Sequence, residues 1–304
     1  MSLVEQRLTE NGIVEYDKVA VAIETLKSYE QIALQKHDAD GKNGYYVCIS
    51  GGKDSSVIQQ LVIMAGVKCQ FYHNHTTLDH PQTVYFVRRE KKRLEDMGYE
   101  FNITYPKESI ESLVKRKRML PTRLVRYCCA ELKEEGGKDR VIVTGVRRAE
   151  SVNRKDEALV VSRGKKKADR VILQNDNNDK RRSVEHCTLL STIAVNIILD
   201  WSDAEVWEFI HKYNVPYNPL YDMGYKRVGC VGCPMSTRKA EELDANPKFK
   251  QRWMRICQWL ADNNTNGSLH SAQEIYDWWT EKDKRAITPD ENQYDIFNSM
   301  DDDY

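Results

Sequence analysis

No apolar run in this chain approaches the roughly 18 residues that a membrane-spanning helix needs. The opening residues, Met1-Ser2-Leu3-Val4-Glu5-Gln6-Arg7, hold no apolar leader core, which argues against secretion. Net charge is missing too, because 46 Lys and Arg offset 46 Asp and Glu. A nucleic-acid contact would therefore have to come from local basic patches rather than from bulk charge. No internal repeat is visible. Eight cysteines without a leader point to a reducing, cytoplasmic setting, where clustered cysteines suggest metal or redox chemistry before disulfides. What is present supports a real core: 304 residues, 40% hydrophobic and 30% charged, enough for one large domain or two modest ones.

One stretch organises the rest. Tyr45-Tyr46-Val47-Cys48-Ile49 is apolar, aromatic or β-branched and reads as a buried strand. Ser50-Gly51-Gly52 then makes a turn that only small residues allow. Asp54-Ser55-Ser56 opens a helix, with short polar side chains expected to cap it, and Val57, Ile58, Leu61, Val62 and Met64 continue it. A strand, a glycine turn and a helix N-terminus form an anion cradle, where free amides and the positive helix end meet. The spacing is neither G-x-x-x-x-G-K-[ST] nor G-x-G-x-x-G.

Residues 1–15 are polar and read as partly ordered, and Tyr16 to His37 reads as an amphipathic helix. Strands are expected at Cys69–Asn74, Tyr99–Tyr105, Arg140–Val146 and Val195–Leu199. Helices are expected at His80–Met97, Glu108–Lys117, within Pro121–Glu134, after Ser202, across Ser236–Leu260 and at His270–Glu281. Strands alternating with helices predict an α/β fold, a mostly parallel twisted sheet with helices on both faces and a helical C-terminal region. Ligands bind beyond the carboxyl ends of such strands, which would put the Ser50 loop and Gly145 on one edge. The expected organisation is an N-terminal helical segment over 1–43, a nucleotide-binding domain over 44–235 with a basic insertion at about 162–186, and a helical region with an acidic tail over 236–304.

Four cysteines carry the second signal. Cys128-Cys129 form a tandem pair, and Cys230 and Cys233 form a C-x-x-C ringed by Gly229, Gly232 and Pro234, a knuckle that aims two thiolates at one centre. Neighbouring side chains diverge, which suits the separated corners of a [4Fe–4S] cluster better than one zinc ion. Structural zinc and redox thiols remain open alternatives. His73, His75 and His80 read as loop histidines, Cys48, Cys69 and Cys257 as core, and Cys187 has no assignment.

Ser50-Gly51-Gly52-Lys53-Asp54-Ser55 resembles the S-G-G-x-D-S loop of the ATP pyrophosphatase (PP-loop) superfamily. Gly145-Val146-Arg147-Arg148-Ala149-Glu150-Ser151-Val152-Asn153-Arg154 is similar to the G-x-R-x-x-E-S-x-x-R segment of the PAPS reductase family. The paired cysteines, Leu199–Trp207 and Pro219–Tyr225 also resemble landmarks of that family, so the likeness runs from about residue 44 to 235. It implies an adenine nucleotide alpha hydrolase-like fold that binds ATP, or APS or PAPS, through Ser50, Gly51, Gly52, Lys53, Asp54, Ser55 and Ser56. Thr77, Asp79, Gly145, Arg147, Arg148, Glu150 and Arg154 would complete that nucleotide site. Guanidinium forks at Arg147, Arg148 and Arg154 suit phosphate or sulfate. Lys53, Asp54 and Arg147 are the candidate catalytic residues, with Lys53 neutralising phosphate. Asp54 either helps to hold Mg²⁺ or caps the helix. The likeness implies that Cys128, Cys129, Cys230 and Cys233 hold the cluster.

Sulfonucleotide reductases of this kind add a C-terminal Cys-Gly nucleophile, whereas residues 258–304 here contain no cysteine. The expectation is therefore an adenylating enzyme that releases pyrophosphate for sulfur transfer to DNA or tRNA, like the sulfur-inserting branches of the superfamily, with a cysteine desulfurase as donor. Lys115-Arg116-Lys117-Arg118, Arg123, Arg126 and the basic insertion would face the polyanion. Two alternatives stand beside it. One is an APS/PAPS reductase with a non-standard nucleophile and a thioredoxin-like reductant. The other is a nucleotide-binding accessory protein with a structural cluster.

Overall fold

A computed structural model of the chain describes residues 2–9, 12–133, 136–150, 158–163, 171–174, 192–263 and 269–280. It divides into two compact units. The first comprises Met1–His73, Gln82–Ile103 and Gly136–Val228, and the second Asn74–Pro81, Thr104–Glu135 and Gly229–Tyr304.

The first unit is built on a mostly parallel sheet. The strands are β3 (Tyr45–Cys48), β4 (Cys69–Asn74), β5 (Glu100–Thr104), β6 (Val141–Val143), β7 (Val160–Arg163), β8 (Val171–Gln174) and β9 (Thr192–Val195), in the order β5-β4-β3-β6-β9-β7-β8. β3 runs parallel to β4 and β6, and β6 runs parallel to β9. β7 pairs antiparallel with both β8 and β9. The central strands are short and apolar on both sides, as a covered parallel sheet requires: Tyr45, Val47, Val141, Val143, Ile193 and Val195 are buried. Helices α1 (Lys18–Gln35), α2 (Lys53–Ala65), α3 (Pro81–Asp96) and α6 (Asp203–Lys212) supply the rest of this core through Leu26, Ile58, Leu61, Phe86, Val206 and Phe209.

Two local readings are corrected. Residues 1–15 read as polar and partly ordered, but β1 (Val4–Thr9) pairs antiparallel with β2 (Gly12–Asp17). The strand read at Val195–Leu199 lies earlier, at Thr192–Val195, and residues 197–200 form a turn. Ile197, Ile198 and Leu199 are buried there without belonging to the sheet, so their apolar character reports burial and not strand pairing. Ser202 caps α6 as expected: it forms a capping box with Glu205, whose buried carboxylate also takes Lys18 Nζ at 2.8 Å.

The second unit is helical: α4 (Ile110–Lys117), α5 (Tyr127–Leu132), α7 (Lys239–Asp244), α8 (Pro247–Asp262) and α9 (Ala272–Thr280). Pro247 occupies the first turn of α8, where its missing amide costs nothing. Leu113, Val114, Trp253, Ile256, Cys257, Ile275 and Trp279 form the separate core of this unit, which confirms the core reading of Cys257.

Candidate functional site

In the first unit the loop after β3 and the loop after β6 lie on the carboxyl edge of neighbouring parallel strands. Gly51 has φ +79°, and a Cβ there would sit 2.8 Å from Thr83 Cγ2, so the turn requires glycine. Asn218, fully buried, fixes the turn by donating to Gly51 O at 3.1 Å and Thr83 Oγ1 at 3.0 Å. Gly145 lets the second loop close on the first: its Cβ would lie 3.2 Å from the carbonyl carbon and Cβ of Asp54.

The start of α2 differs from expectation. Its N-cap is Gly52, with no side-chain cap bond. Ser55 Oγ instead donates back to Gly52 O at 2.7 Å, and Ser56 Oγ is 3.5 Å from the same carbonyl. Ser50 Oγ accepts from Gly52 N at 3.3 Å. Asp54 is engaged by cations and does not cap: Arg147 Nε donates to its Oδ1 at 2.6 Å, and Lys53 Nζ lies 3.5 Å from its Oδ2.

Lys53 and Arg147 are both nearly buried, and Asp203 bridges them, 2.9 Å from Lys53 Nζ and 3.0 Å from Arg147 Nη2. Arg147 also donates to Trp201 O at 3.2 Å. Burial would raise the Asp203 carboxyl, but Lys53 and then Arg147 outweigh it and hold Asp203 below its ordinary value. The Lys53 amide, first in the helix, donates to Tyr221 Oη at 2.9 Å, and burial pushes that phenol up to about 12.

Asp203 and Tyr221 carry no role in the sequence reading, although both lie inside the Leu199–Trp207 and Pro219–Tyr225 stretches. Only the fold brings them to residues more than a hundred positions away. Arg148 and Glu150 lie on a single 3₁₀ turn, where Arg148 pairs with Asp200. Arg154 and Cys187 fall outside the described residues, as does most of the basic insertion.

The second unit gathers the four paired cysteines. Cys128, Cys129, Cys230 and Cys233 line one cavity with Thr76, Leu78, Ile110, Leu132, Lys133 and Trp253. The C-x-x-C knuckle closes through Cys233 N donating to Cys230 O at 3.2 Å, and Gly232 sits at φ +78° against the Trp253 indole. A contact with Cys129 and then burial, with Cys230 and Cys233 adding to them, push the Cys128 thiol up. Thr76 Oγ1 lies 3.3 Å from Cys230 Sγ, and Trp253 Nε1 is buried with no hydrogen-bond partner. Cys230 raises the Lys133 ammonium above its ordinary value, with Asp79, Cys129 and Cys233 contributing further. Among the described residues, no group of three or more His, Cys, Asp or Glu side chains is arranged to hold a single metal ion.

Thr77 and Asp79 belong to this unit and not to the loop's unit. Asp79 accepts from Thr76 N at 2.7 Å and forms a β-bridge with Cys230, while Thr77 O accepts from Arg252 at 2.7 Å. The basic run on α4 is largely answered by acids. Lys115 pairs with Glu111, Arg116 with Glu108 and Glu131, and Lys117 with Glu131. No helix among the described residues is long and apolar enough to cross a membrane.

Known proteins resemble the chain at several levels. Two uncharacterized proteins of Methanocaldococcus jannaschii are 27% identical over 260 residues and 24% over 286, covering 82% and 90% of this chain. The chain spans about half the length of these relatives, 54% and 51%. An adenosine 5'-phosphosulfate reductase of Burkholderia cepacia is 24% identical over 231 residues, covering 71% of this chain and 76% of that protein. Among solved structures, the phosphoadenylyl-sulfate reductase of Candida auris aligns with a TM-score of 0.41 at 19% identity, over 68% of this chain and 94% of that one. The U34-tRNA thiolase NcsA of Methanococcus maripaludis, solved with its [4Fe-4S] cluster, aligns at 0.39 and 15% identity, over 94% and 89%. Residues 44–236, more than half of the sequence, match the phosphoadenosine phosphosulfate reductase domain, and the chain belongs to that family.

Proposed function

We propose that the chain binds an adenine nucleotide with its phosphates on the Ser50–Ser56 loop and uses ATP to activate a substrate oxygen for sulfur transfer to nucleic acid. The observation that carries this reading is the pair of nearly buried cations, Lys53 and Arg147, at the mouth of a glycine turn and a helix N-terminus. Cations held in a desolvated cradle stabilise charge that develops on a leaving group. The substrate oxygen attacks the α-phosphorus, the bond to the β-phosphate oxygen breaks, and pyrophosphate carries away the electron pair. A persulfide supplied by a cysteine desulfurase then attacks the activated atom, AMP leaves with the oxygen, and a second thiol reduces the resulting disulfide so that the sulfur stays on the product. Asp54 would share a Mg²⁺ ion with the phosphates, while Gly145, Arg148, Glu150 and Arg154 would complete the nucleotide site. Support for the polyanion rests on the 162–186 insertion, because Lys115 to Lys117 are engaged by neighbouring acids. ATP–pyrophosphate exchange tests the step. Exchange that disappears in Lys53→Ala supports it, and absence of exchange with every nucleic-acid fraction overturns it.

Cys128, Cys129, Cys230 and Cys233 would hold a [4Fe–4S] cluster. The four soft donors around one apolar cavity fit such a group. When bound, a cluster offers iron that can carry a sulfur ligand or an electron. Iron and acid-labile sulfide assays on anaerobically purified protein test it, and a colourless protein with stoichiometric zinc overturns it.

The family match and the Burkholderia cepacia relative favour a second reading, reduction of a sulfonucleotide. That activity would form sulfite from APS or PAPS with a thioredoxin-like dithiol and would need no ATP turnover. Sulfite formation without ATP–pyrophosphate exchange would select it.

A further inference from the structure

Four charges meet at the glycine loop, and they differ in how deeply they are held. The side chains of Lys53 and Arg147 are 8% and 3% exposed, that of Asp54 is 17% exposed, and that of Asp203 is 65% exposed. Nearly buried cations require counter-charges, and two carboxylates answer two cations here. Asp54 is fixed at the helix start beside Gly145. Asp203 reaches in from solvent and touches both cations with one oxygen, Oδ1.

The helix that carries Asp203 does not depend on that contact. The capping box of Ser202 and Glu205 fixes the first turn of α6, and Glu205 is anchored separately by Lys18. The Asp203 side chain can therefore leave the cations without unwinding its helix. A phosphate oxygen presents the same acceptor chemistry to Lys53 Nζ and Arg147 Nη2. We propose that the Asp203 carboxylate is an internal stand-in for a nucleotide phosphate, occupying the two cations in the free protein and giving way when the phosphate arrives. The inference rests on the nucleotide reading above and deepens it. It identifies the residue that sets how tightly the loop takes an anion, and the ligand class as a pyrophosphate group that must out-compete a carboxylate.

Binding of inorganic pyrophosphate, measured by calorimetry without divalent metal and at fixed ionic strength, tests it. Asp203→Asn keeps the shape and removes the charge. Asp203 itself is 65% exposed, so solvent weakens its hold on the two cations and the expected gain is about five-fold tighter binding than wild type. Asp203→Ser, which also suits a helix start, gives the same gain by a second route, and Asp203→Glu returns to the wild-type value. A merely structural role predicts weaker binding, because the cations would lose their positioning. Equal or weaker binding by Asp203→Asn and Asp203→Ser, with wild type binding measurably, overturns the stand-in and leaves the nucleotide reading intact. If neither wild type nor the variants bind pyrophosphate, the nucleotide reading falls and the stand-in falls with it.

Discussion

Arg147 offers the most direct test of how the loop is held together. Its guanidinium donates to Asp54 Oδ1 at 2.6 Å, to Asp203 Oδ1 at 3.0 Å and to Trp201 O at 3.2 Å, and it is 3% exposed. Arg147→Met keeps much of the volume but removes the charge and all three bonds. Among the described residues, Lys53 at 3.5 Å is then the cation left beside Asp54. Losing one member of a buried pair costs about 3–5 kcal/mol when both partners are dry, and the partial exposure of Asp54 puts the expected loss near the lower end, about 3 kcal/mol. Asp54→Asn in the same background removes the stranded charge. The double variant should therefore recover about 1.5 kcal/mol relative to the sum of the single changes, as for charges in one network. Urea unfolding at unchanged slope measures all four corners of the cycle. Additivity within about 0.5 kcal/mol would show that Arg147 and Asp54 are not coupled and would refute the account of the cradle as a charge network.

Three other outcomes are expected. Gly51→Ala must adopt a left-handed backbone and press Thr83 Cγ2, so it should cost about 2–3 kcal/mol, and adding Thr83→Ser, which removes the offending methyl and keeps the hydroxyl, should return part of that in the same melts. Glu205 is buried; burial alone would raise its carboxyl, but Lys18 and the Ser202 amide hold it below the ordinary 4.5. Its folded value is depressed, so its contribution is present above pH 4.5 and is lost as pH falls through the folded value; Glu205→Gln should flatten the pH dependence of stability in that acid window, and an unchanged slope would count against the pairing. Gly232→Ala would place a methyl 2.6 Å from Trp253 Nε1 at a left-handed position and distort the C-x-x-C knuckle, so the iron proposed to bind the four cysteines should be lost on gel filtration while pyrophosphate binding at the loop is retained.

Local sequence determined the parts of this protein whose physics is local. The apolar run at Tyr45 to Ile49, the glycines after it and the periodic helix that follows specify a strand, a tight turn and a helix from neighbouring residues alone, and the structure places β3 and α2 there. The same holds for the Ser202 cap and the alternation that makes a parallel sheet. The pairing of Val4–Thr9 with Gly12–Asp17 was not legible, because Leu8, Ile13 and Val14 are exposed and follow no core periodicity. Val195–Leu199 misled for the opposite reason: burial in a turn uses the same residues as burial in a strand.

What only the tertiary structure decided is which charges meet. The sequence suits Asp54 either to help hold Mg²⁺ or to cap the helix; Asp54 does not cap, and packing of the loop after β6 sets Arg147 against it. Asp203 and Tyr221 lie far along the chain from Lys53, and the landmark stretches that contain them do not say which residues of the loop they meet. Arg116 and Lys117 of α4 looked free to meet a polyanion until folding set Glu131 of α5 against them. Backbone conformation answers to the nearest few residues, whereas electrostatic partnership is a matter of distance in space, and a sequence states that distance only after it has folded.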